Sequence, residues 1–178
     1  MKRYFFTLVF SLLVLIGSSQ VFNTSQTLKE GTFSFGIEPL LIASGNGDFV
    51  LFGHAGYGLV SGVDLGLKVG VFGGSTYVGA DVEFAFVKNF SISAGAHATG
   101  IFGLDATLIG SFPLASNVTF YAGADADLNF GNDLTLPLWI PLGLEVQLNK
   151  NMAFLFEALP GITQSAPHLI GGGVMVYF

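Results

Sequence analysis

The sequence predicts an all-β protein, a closed antiparallel up-and-down transmembrane β-barrel of ten strands, and three observations support this. Apolar and polar residues alternate through most of the chain after residue 30. Only 10% of the 178 residues are charged, whereas 51% are hydrophobic and the mean hydropathy is +0.67. A soluble domain carries about 25% charged residues. The chain also ends on an uncharged alternating segment, which would aggregate as an open edge unless a barrel closed around it.

Composition excludes several other classes of protein. No segment after the first 19 residues has 18 consecutive apolar residues, so helical membrane spans are not the source of the hydropathy. The 25 glycines and 19 phenylalanines fit a barrel, because glycine suits turns and bends while phenylalanine can face lipid. The net charge of −6 argues against nucleic acid as a partner. The absence of cysteine is compatible with an oxidising secretory route.

The first 19 residues predict a secretory signal peptide. Lys2 and Arg3 form a short basic region, Tyr4–Ile16 is almost entirely apolar, and Gly17–Ser19 supplies small residues for cleavage before Gln20. The apolar run is too short for a bilayer core, which needs roughly 20 residues. We therefore expect this segment to be removed during secretion.

The mature chain divides into a leader and a barrel. Residues 20–30 are polar without a period and are expected to form a short periplasmic leader, and residues 31–178 the barrel. Ten alternating segments are separated by turn residues. The predicted strands are Gly31–Ala43, Phe49–Leu59, Asp64–Phe72, Thr76–Phe86, Phe90–Gly100, Leu104–Phe112, Val118–Phe130, Leu134–Leu148, Met152–Leu159 and Leu169–Phe178. Eight strands is the alternative, reached if Leu134–Leu138 or another segment is a loop.

The last ten residues, L-I-G-G-G-V-M-V-Y-F, carry a family resemblance. Val174 and Val176 share one face of this strand, while Met175 and Tyr177 share the other. An alternating final strand that ends in Phe178 resembles the terminal signature of small bacterial outer-membrane β-barrel proteins of the OmpA/OmpX-type class. The resemblance implies a bacterial outer-membrane location after secretion and contact with outer-membrane lipid. It also implies that the last strand pairs with the first, and that the barrel-assembly machinery recognises Tyr177 and Phe178.

The loops on the far side of the membrane are short. With both chain ends in the periplasm, the outer loops would be centred near Gly45, Gly73, Ile101, Asn132 and Gln164. Long outer loops carry adhesion or receptor functions in larger relatives, so short ones make those functions less expected. The oligomeric state is not indicated by the sequence.

The polar face of the strands is strongly acidic. The acidic residues predicted to line the lumen are Glu38, Asp64, Asp81, Glu83, Asp105, Asp125, Asp127, Glu145 and Glu157. Lys68 is the regular inward base, and His54 and His97 lie on the same face. One interpretation is a hydrated, glycine-lined lumen, and the other is an acidic ring that selects cations.

Lipid A deacylases and omptin proteases are barrel enzymes of this membrane, so the three histidines are candidate catalytic residues. His168 has no serine two positions on, and His54 has no acid in its own strand. His97 is expected between Asp81 and Asp105, where two carboxylates would make it part of a salt-bridged plug rather than a general base. The sequence therefore predicts no enzyme activity.

No cofactor or metal site is predicted either. Asp125 and Asp127 lie two apart on one face, but sites with oxygen ligands need more convergent oxygens than two carboxylates provide. We therefore expect neither a metal ion nor a cofactor in the lumen.

Two prolines interrupt the eighth predicted strand. Pro137 and Pro141 have the same parity, so both missing N–H groups would face one neighbouring strand. A bulge or a longer loop is one explanation, and a lateral opening for lipid or a hydrophobic solute is the other. The sequence thus predicts a structural or channel-forming barrel for small solutes or cations. The alternatives are a barrel enzyme acting on lipid or peptide, and a conduit with a lateral opening.

Overall fold

The structure, a computed structural model, describes residues 26–43 and 48–178. The predicted signal peptide and the first residues of the leader lie outside this part of the chain, so their assignment stays a prediction. Within the described residues, no helix is long and apolar enough to cross a bilayer.

Twelve β-segments make up the fold. They are β1 (Phe33–Ile42), β2 (Asp48–Val60), β3 (Val63–Val71), β4 (Tyr77–Val87), β5 (Phe90–Ala98), β6 (Phe102–Ala115), β7 (Val118–Phe130), β8 (Leu134–Thr135), β9 (Leu138–Trp139), β10 (Leu142–Asn149), β11 (Met152–Leu159) and β12 (Leu169–Tyr177). Because β8, β9 and β10 follow one another along the same side of β7, they form a single interrupted strand.

The strands close into an antiparallel barrel. β1 pairs with β2 on one side and with β12 on the other, and β10 joins β7 to β11. Counting β8 to β10 as one strand, the ring contains ten strands. The predicted strand number of ten is confirmed, and the alternative of eight is wrong. We call the end that carries the start of β1 and the end of β12 the terminal end, and the opposite end the loop end.

The alternation of the sequence sets which face each residue occupies. On β1, Phe33, Phe35 and Ile37 are 51%, 56% and 61% exposed, whereas Ser34 and Glu38 are 0% and 2% exposed. Successive side chains on a strand point to opposite faces, so the apolar set covers the outside and the polar set faces the interior. The predicted facing of the first strand is confirmed.

Aromatic pairs form a belt at each end of the outer surface. At the loop end the pairs are Phe49–Phe72 and Phe102–Phe130, and at the terminal end they are Phe33–Tyr57 and Phe90–Phe112. Transmembrane barrels carry aromatic girdles at both membrane interfaces. The outer surface therefore has the pattern expected of a barrel that spans a bilayer.

The predicted continuous strand Leu134–Leu148 is wrong, because the two prolines divide it. The carbonyl groups of Pro137 and Pro141 accept hydrogen bonds from the N–H groups of Asp127 and Gly123, both at 3.0 Å. The N–H and C=O positions of one residue point to the same side of a strand, so both missing N–H groups face β7. The sequence-based expectation that one seam loses two donors therefore holds.

The other side of this interrupted strand is held by the loop of residues 160–168. The N–H of Ile140 donates to the Pro160 carbonyl at 3.1 Å, and the N–H of Ile162 donates to the Leu138 carbonyl at 2.8 Å. The Trp139 indole N–H donates to the Pro167 carbonyl at 2.8 Å. The loop therefore supplies hydrogen-bond partners on the side of the strand that faces away from β7.

Strand β6 is longer than predicted. It continues through Pro113, which was expected to begin a turn, to Ala115. The N–H of Ser111 points towards the β5 side, to the Asn89 carbonyl at 2.8 Å, and Pro113 has the same parity. β5 begins at Phe90, so Pro113 lies beyond that strand and its missing N–H costs no ladder hydrogen bond.

Candidate functional site in the lumen

The lumen holds a polar cavity of about 280 Å³. The residues of the predicted acidic set that line it are Glu38, Asp64, Asp81, Glu83, Asp105, Asp125, Asp127 and Glu157, and His54, Lys68 and His97 line it as well. Glu145 is the exception, because it is buried at 2% exposure but lies outside this cavity. Among the residues that the structure describes, no group of three or more His, Asp or Glu side chains is placed to hold a metal ion.

One side of the cavity, formed by β3 to β7, is an acidic wall. We define it by its inward carboxylates, Asp64, Asp81, Glu83, Asp105, Asp125 and Asp127. Neighbouring strands place several of them side by side: Asp64 is opposite Glu83, and Asp105 is opposite Asp127. Like charges directly opposite one another destabilise a sheet, so the acidic wall carries a cost in stability when both members of such a pair are ionised.

Glycines give these carboxylates room on the wall. A Cβ at Gly66 would overlap with the carboxylate of Asp81, and a Cβ at Gly95 would overlap with that of Asp105. The side chains therefore extend over the glycine on the neighbouring strand. The glycine lining predicted from composition thus has a specific use, because it lets the acids lie along the wall.

His97 lies towards the loop end of the acidic wall and holds three strands together. Its Nδ1 is 3.1 Å from Asp105 Oδ2, and its Nε2 is 2.9 Å from Asn129 Oδ1 and 4.0 Å from Asp127 Oδ2. Its ring stacks on Tyr77 with centroids 5.3 Å apart. The hydrogen-bond partners are the Asp105 carboxylate and the Asn129 amide, and the Asp127 carboxylate lies at ion-pair distance, so His97 links β5 to β6 and β7.

The expected contact between His97 and Asp81 is wrong. In the observed register His97 is opposite Gly79, and Asp81 is opposite Gly95, two residues further along the strand. A hairpin register depends on turn geometry as well as on the apolar pattern, and a shift of two residues keeps every side chain on its face. Alternation alone could not distinguish these two registers.

A chain of polar side chains crosses the lumen, and we call it the polar bar. His54 Nε2 is 2.8 Å from Glu38 Oε2, the carboxyl groups of Glu38 and Glu157 are within hydrogen-bonding reach, and the Tyr121 hydroxyl donates to Glu157 Oε1 at 3.2 Å. These four residues lie on β2, β1, β11 and β7. Because β2 and β7 are five strands apart in the ring of ten, the bar connects opposite walls. Lys68 interacts electrostatically with both glutamates.

The terminal end of the barrel contains an apolar cluster, which we call the packed core. Its members are Leu28, Ile109, Tyr121, Ala153, Leu155, Met175 and Tyr177. All are at most 3% exposed. Side chains of this size fill a narrow barrel, whereas the acidic wall leaves space for the cavity. The lumen therefore contains a cavity beside the acidic wall and is filled by side chains at the packed core.

The leader contributes to this end of the lumen. Leu28 is 1% exposed, and its N–H donates to Asp64 Oδ2 at 2.7 Å. The N–H of Gly31 donates to the Gly58 carbonyl at 2.8 Å, and the N–H of Gly58 donates to the Thr32 carbonyl at 2.9 Å. The sequence analysis did not single out Leu28. The available signal was that Leu28 is the one large apolar residue within residues 23–30.

Glu145 lies beside Tyr177 of the packed core. Glu145 Oε2 and the Tyr177 hydroxyl are buried without a hydrogen-bond partner among the described residues, and the two groups interact electrostatically. Glu145 was predicted to line the lumen, and the structure places it away from the polar cavity. Its inward direction was predictable from parity, but its packed surroundings were not.

The end of the chain closes the barrel. The N–H of Phe178 donates to the Phe33 carbonyl at 2.9 Å, and the N–H of Phe33 donates to the Phe178 carbonyl at 3.2 Å. The Phe178 ring lies 6.1 Å from that of Phe35, and Tyr177 points into the packed core. The last strand therefore pairs with the first, as the resemblance implied.

Comparisons with known proteins support the fold. No protein-family model and no curated protein matches the chain. Among solved structures, the KdgM porin is similar with a TM-score of 0.50 at 12% identity, covering 82% of this chain and 99% of its own. A de novo designed transmembrane β-barrel has a TM-score of 0.47 at 13% identity, covering 90% of this chain and 100% of its own.

A further similar structure is the N-terminal β-barrel domain of Pseudomonas aeruginosa OprF. It has a TM-score of 0.40 at 17% identity and covers 84% of this chain and 98% of its own. The likeness to the KdgM porin concerns the fold. The chain has the fold of bacterial outer-membrane β-barrels, and its apolar outer surface agrees with the predicted location in that membrane.

Proposed function

We propose that this protein is a non-enzymatic outer-membrane barrel whose acidic lumen admits small cations. The observation that carries the proposal is the charge of the cavity. Eight carboxylates line it, and Lys68 is the one lysine or arginine among the described residues that do so. Even if His54 and His97 were both protonated, eight ionised carboxylates would leave five formal negative charges.

The surroundings of this charge strengthen its effect. The barrel wall faces lipid and has a low dielectric constant, so it focuses the field of the carboxylates into the cavity. The field raises the local concentration of cations and lowers that of anions. Lys68 offsets part of it near the polar bar, where it faces Glu38 and Glu157. Lys68 also interacts electrostatically with Asp125 of the acidic wall.

A salt-gradient recording tests this function. Refolded protein in a planar bilayer under a KCl gradient should give a reversal potential with the sign of K⁺ permeation. The preference should weaken as ionic strength rises, because screening shortens the Debye length. It should also shrink in the Asp125→Asn, Asp127→Asn double variant, but not in Asp133→Asn, whose side chain is exposed outside the cavity. A preference for Cl⁻ would contradict the proposal.

The enzyme alternative finds little support in the described contacts. The hydrogen-bond partners of His97 are Asp105 and Asn129, and the partner of His54 is Glu38. A hydrolase of lipid or peptide needs a nucleophile or an activated water beside its base. Incubation of refolded protein with lipid A or a peptide library should therefore leave both unchanged, and specific cleavage would overturn this part of the proposal.

The seam next to β7 favours a second candidate, lateral passage of a hydrophobic solute. Both prolines remove donors from that seam. The remaining pairing there includes Ala126 opposite Leu138. A disulfide between Ala126→Cys and Leu138→Cys should abolish uptake of a hydrophobic solute if the seam opens. Unchanged uptake in the oxidised variant would contradict this candidate.

The terminal strand is the proposed contact for the barrel-assembly machinery. Its supporting feature is the pairing of Phe178 with Phe33 at the closing seam. Changing Phe178→Asp should leave protein in the periplasm, whereas Phe178→Tyr, which keeps an aromatic end, should assemble. Fractionation of cells measures both, and a normal membrane yield of the Asp variant would exclude the signal.

A further inference from the structure

The N-terminal segment of the described chain meets the polar cavity at the terminal end of the barrel. Asp64, Glu83 and Ser91 line the cavity there, each within a few residues of a turn at that end, the β2–β3 turn for Asp64 and the β4–β5 turn for the other two. Asp64 Oδ2 also accepts the N–H of Leu28 at 2.7 Å. The segment thus contacts the acidic wall at the terminal end of the cavity.

Leu28 completes the packed core. The other members of that cluster come from β6, β7, β11 and β12, so they occupy one side of the terminal end. Leu28 approaches from the opposite side, beside Gly58 of β2 and Asp64 of β3. Its side chain is 1% exposed. It therefore stands between the polar cavity and the terminal mouth.

Gly58 makes the docking of this segment possible. The peptide carbonyl of Lys29 lies directly over Gly58, and a Cβ at that position would overlap with it. Gly58 also exchanges backbone hydrogen bonds with Gly31 and Thr32, at 2.8 Å and 2.9 Å. A side chain at residue 58 would push the segment off β2 without changing Leu28 itself.

The barrel does not depend on this segment for closure. The ring closes through the pairing of β1 with β12, which begins at Ser34 and Tyr177 and is flanked by the Phe33–Phe178 hydrogen bonds. Residues 28–32 are attached by the buried side chains of Leu28 and Thr32, by the bond of the Leu28 N–H to Asp64, and by a few backbone hydrogen bonds. Such a segment can detach while the strands remain paired, because few contacts hold it.

We propose that residues 28–32 form a stopper that closes the terminal mouth of the acidic cavity, and that release of this stopper opens the lumen from end to end. The ion that then passes is a cation, and only this preference for cations rests on the proposed function. Closure itself depends on the Leu28 side chain and on the packing of residues 29–32 against Gly58. The leader is therefore an internal gate as well as a link to the preceding segment.

Single-channel conductance of refolded protein tests the stopper with two independent variants. Leu28→Gly removes the side chain, and Gly58→Ala places a methyl group where the Lys29 carbonyl packs against β2. Each should raise the conductance several-fold over the unmodified protein. The matched controls are Leu28→Met, which keeps the bulk, and Gly53→Ala, whose Cβ would meet no atom nearer than 3.9 Å. Heat-modifiable migration on gels verifies that every variant remains a folded barrel.

A chemical measurement repeats the test without a current. The chain has no cysteine, so Ser91→Cys introduces a single thiol near the terminal end of the cavity. A small thiol reagent should modify it several-fold faster when combined with Leu28→Gly than with Leu28→Met. Equal modification rates would overturn the stopper, even if no variant conducts.

The outcomes separate this inference from the proposed function. If Leu28→Gly and Gly58→Ala raise the conductance but the current shows no preference for cations, the stopper is supported and the proposed cation preference is contradicted. Cation-selective conductance that Leu28→Gly and Gly58→Ala leave unchanged supports the proposed function and overturns the stopper.

Discussion

The acidic wall and the packed core are built from the same kind of strand, yet one leaves a cavity and the other does not. On β6 the change takes place at Ile109: Thr107 faces the cavity and bonds to Asp125, whereas Ile109 lines the edge of the cavity and is 3% exposed as a member of the packed core. Both residues point inward. An odd or even position along a strand therefore determines which face a residue occupies. The size of the inward side chains then determines whether that part of the lumen has room for water.

Side-chain volume explains the contrast. On the acidic wall, glycines alternate with aspartates, and the aspartates extend over the glycines of the next strand. In the packed core, Leu155, Met175 and Tyr177 fill the same kind of position with much larger groups. Dense packing makes the core sensitive to small changes, whereas a hydrated wall can readjust.

The largest stability difference is expected from truncation on the two sides. Leu155→Ala should lower the free energy of unfolding by about 2 to 5 kcal/mol, because it leaves a cavity in the packed core. Thr107→Ala on the wall removes one hydrogen bond and should cost about 1 kcal/mol. Urea unfolding in detergent micelles measures both. Equal losses would mean that the two regions are packed alike.

A smaller difference is expected between the two faces of the acidic wall. Ala94 and Ser93 are neighbours on β5, with Ala94 exposed on the outside and Ser93 lining the cavity. Ala94→Lys should cost about 2 to 4 kcal/mol in a bilayer, because it places a charge near mid-membrane. Ser93→Lys introduces the same group among carboxylates. Unfolding of both variants in lipid should show a clear preference for the inward lysine, and the opposite preference would reverse the assignment of faces.

The fold was largely predictable because it depends on alternation, which is written directly in the sequence. The strand number followed from ten alternating segments, and the closing pair of β1 and β12 was implied by the family resemblance of the final strand. Pro137 and Pro141 could be located as a disturbance, but not the loop that binds the other side of their strand. The carbonyl partners of that loop are distant in sequence, so no local pattern indicates them.

The site was predictable only in part. The inward direction of the acids follows from the alternation of the strands, but the partners of His97 depend on hairpin register and on side-chain orientation, and Asn129 is a partner from β7 that alternation does not indicate. The polar bar joins residues from four strands, so its contacts are tertiary. Leu28 could not be placed because its segment has no period, and its position is set by the space above Gly58.

The most direct test of the cationic lumen is the charge preference of a thiol placed in the acidic wall. Ser93→Cys in the refolded barrel would be modified by two reagents of similar size, one positively and one negatively charged. The account predicts that the positive reagent reacts about tenfold faster or more. The ratio should fall with added salt and in the Asp125→Asn, Asp127→Asn background. Equal rates, or faster reaction of the negative reagent, would contradict the central claim that these carboxylates make the lumen attractive to cations.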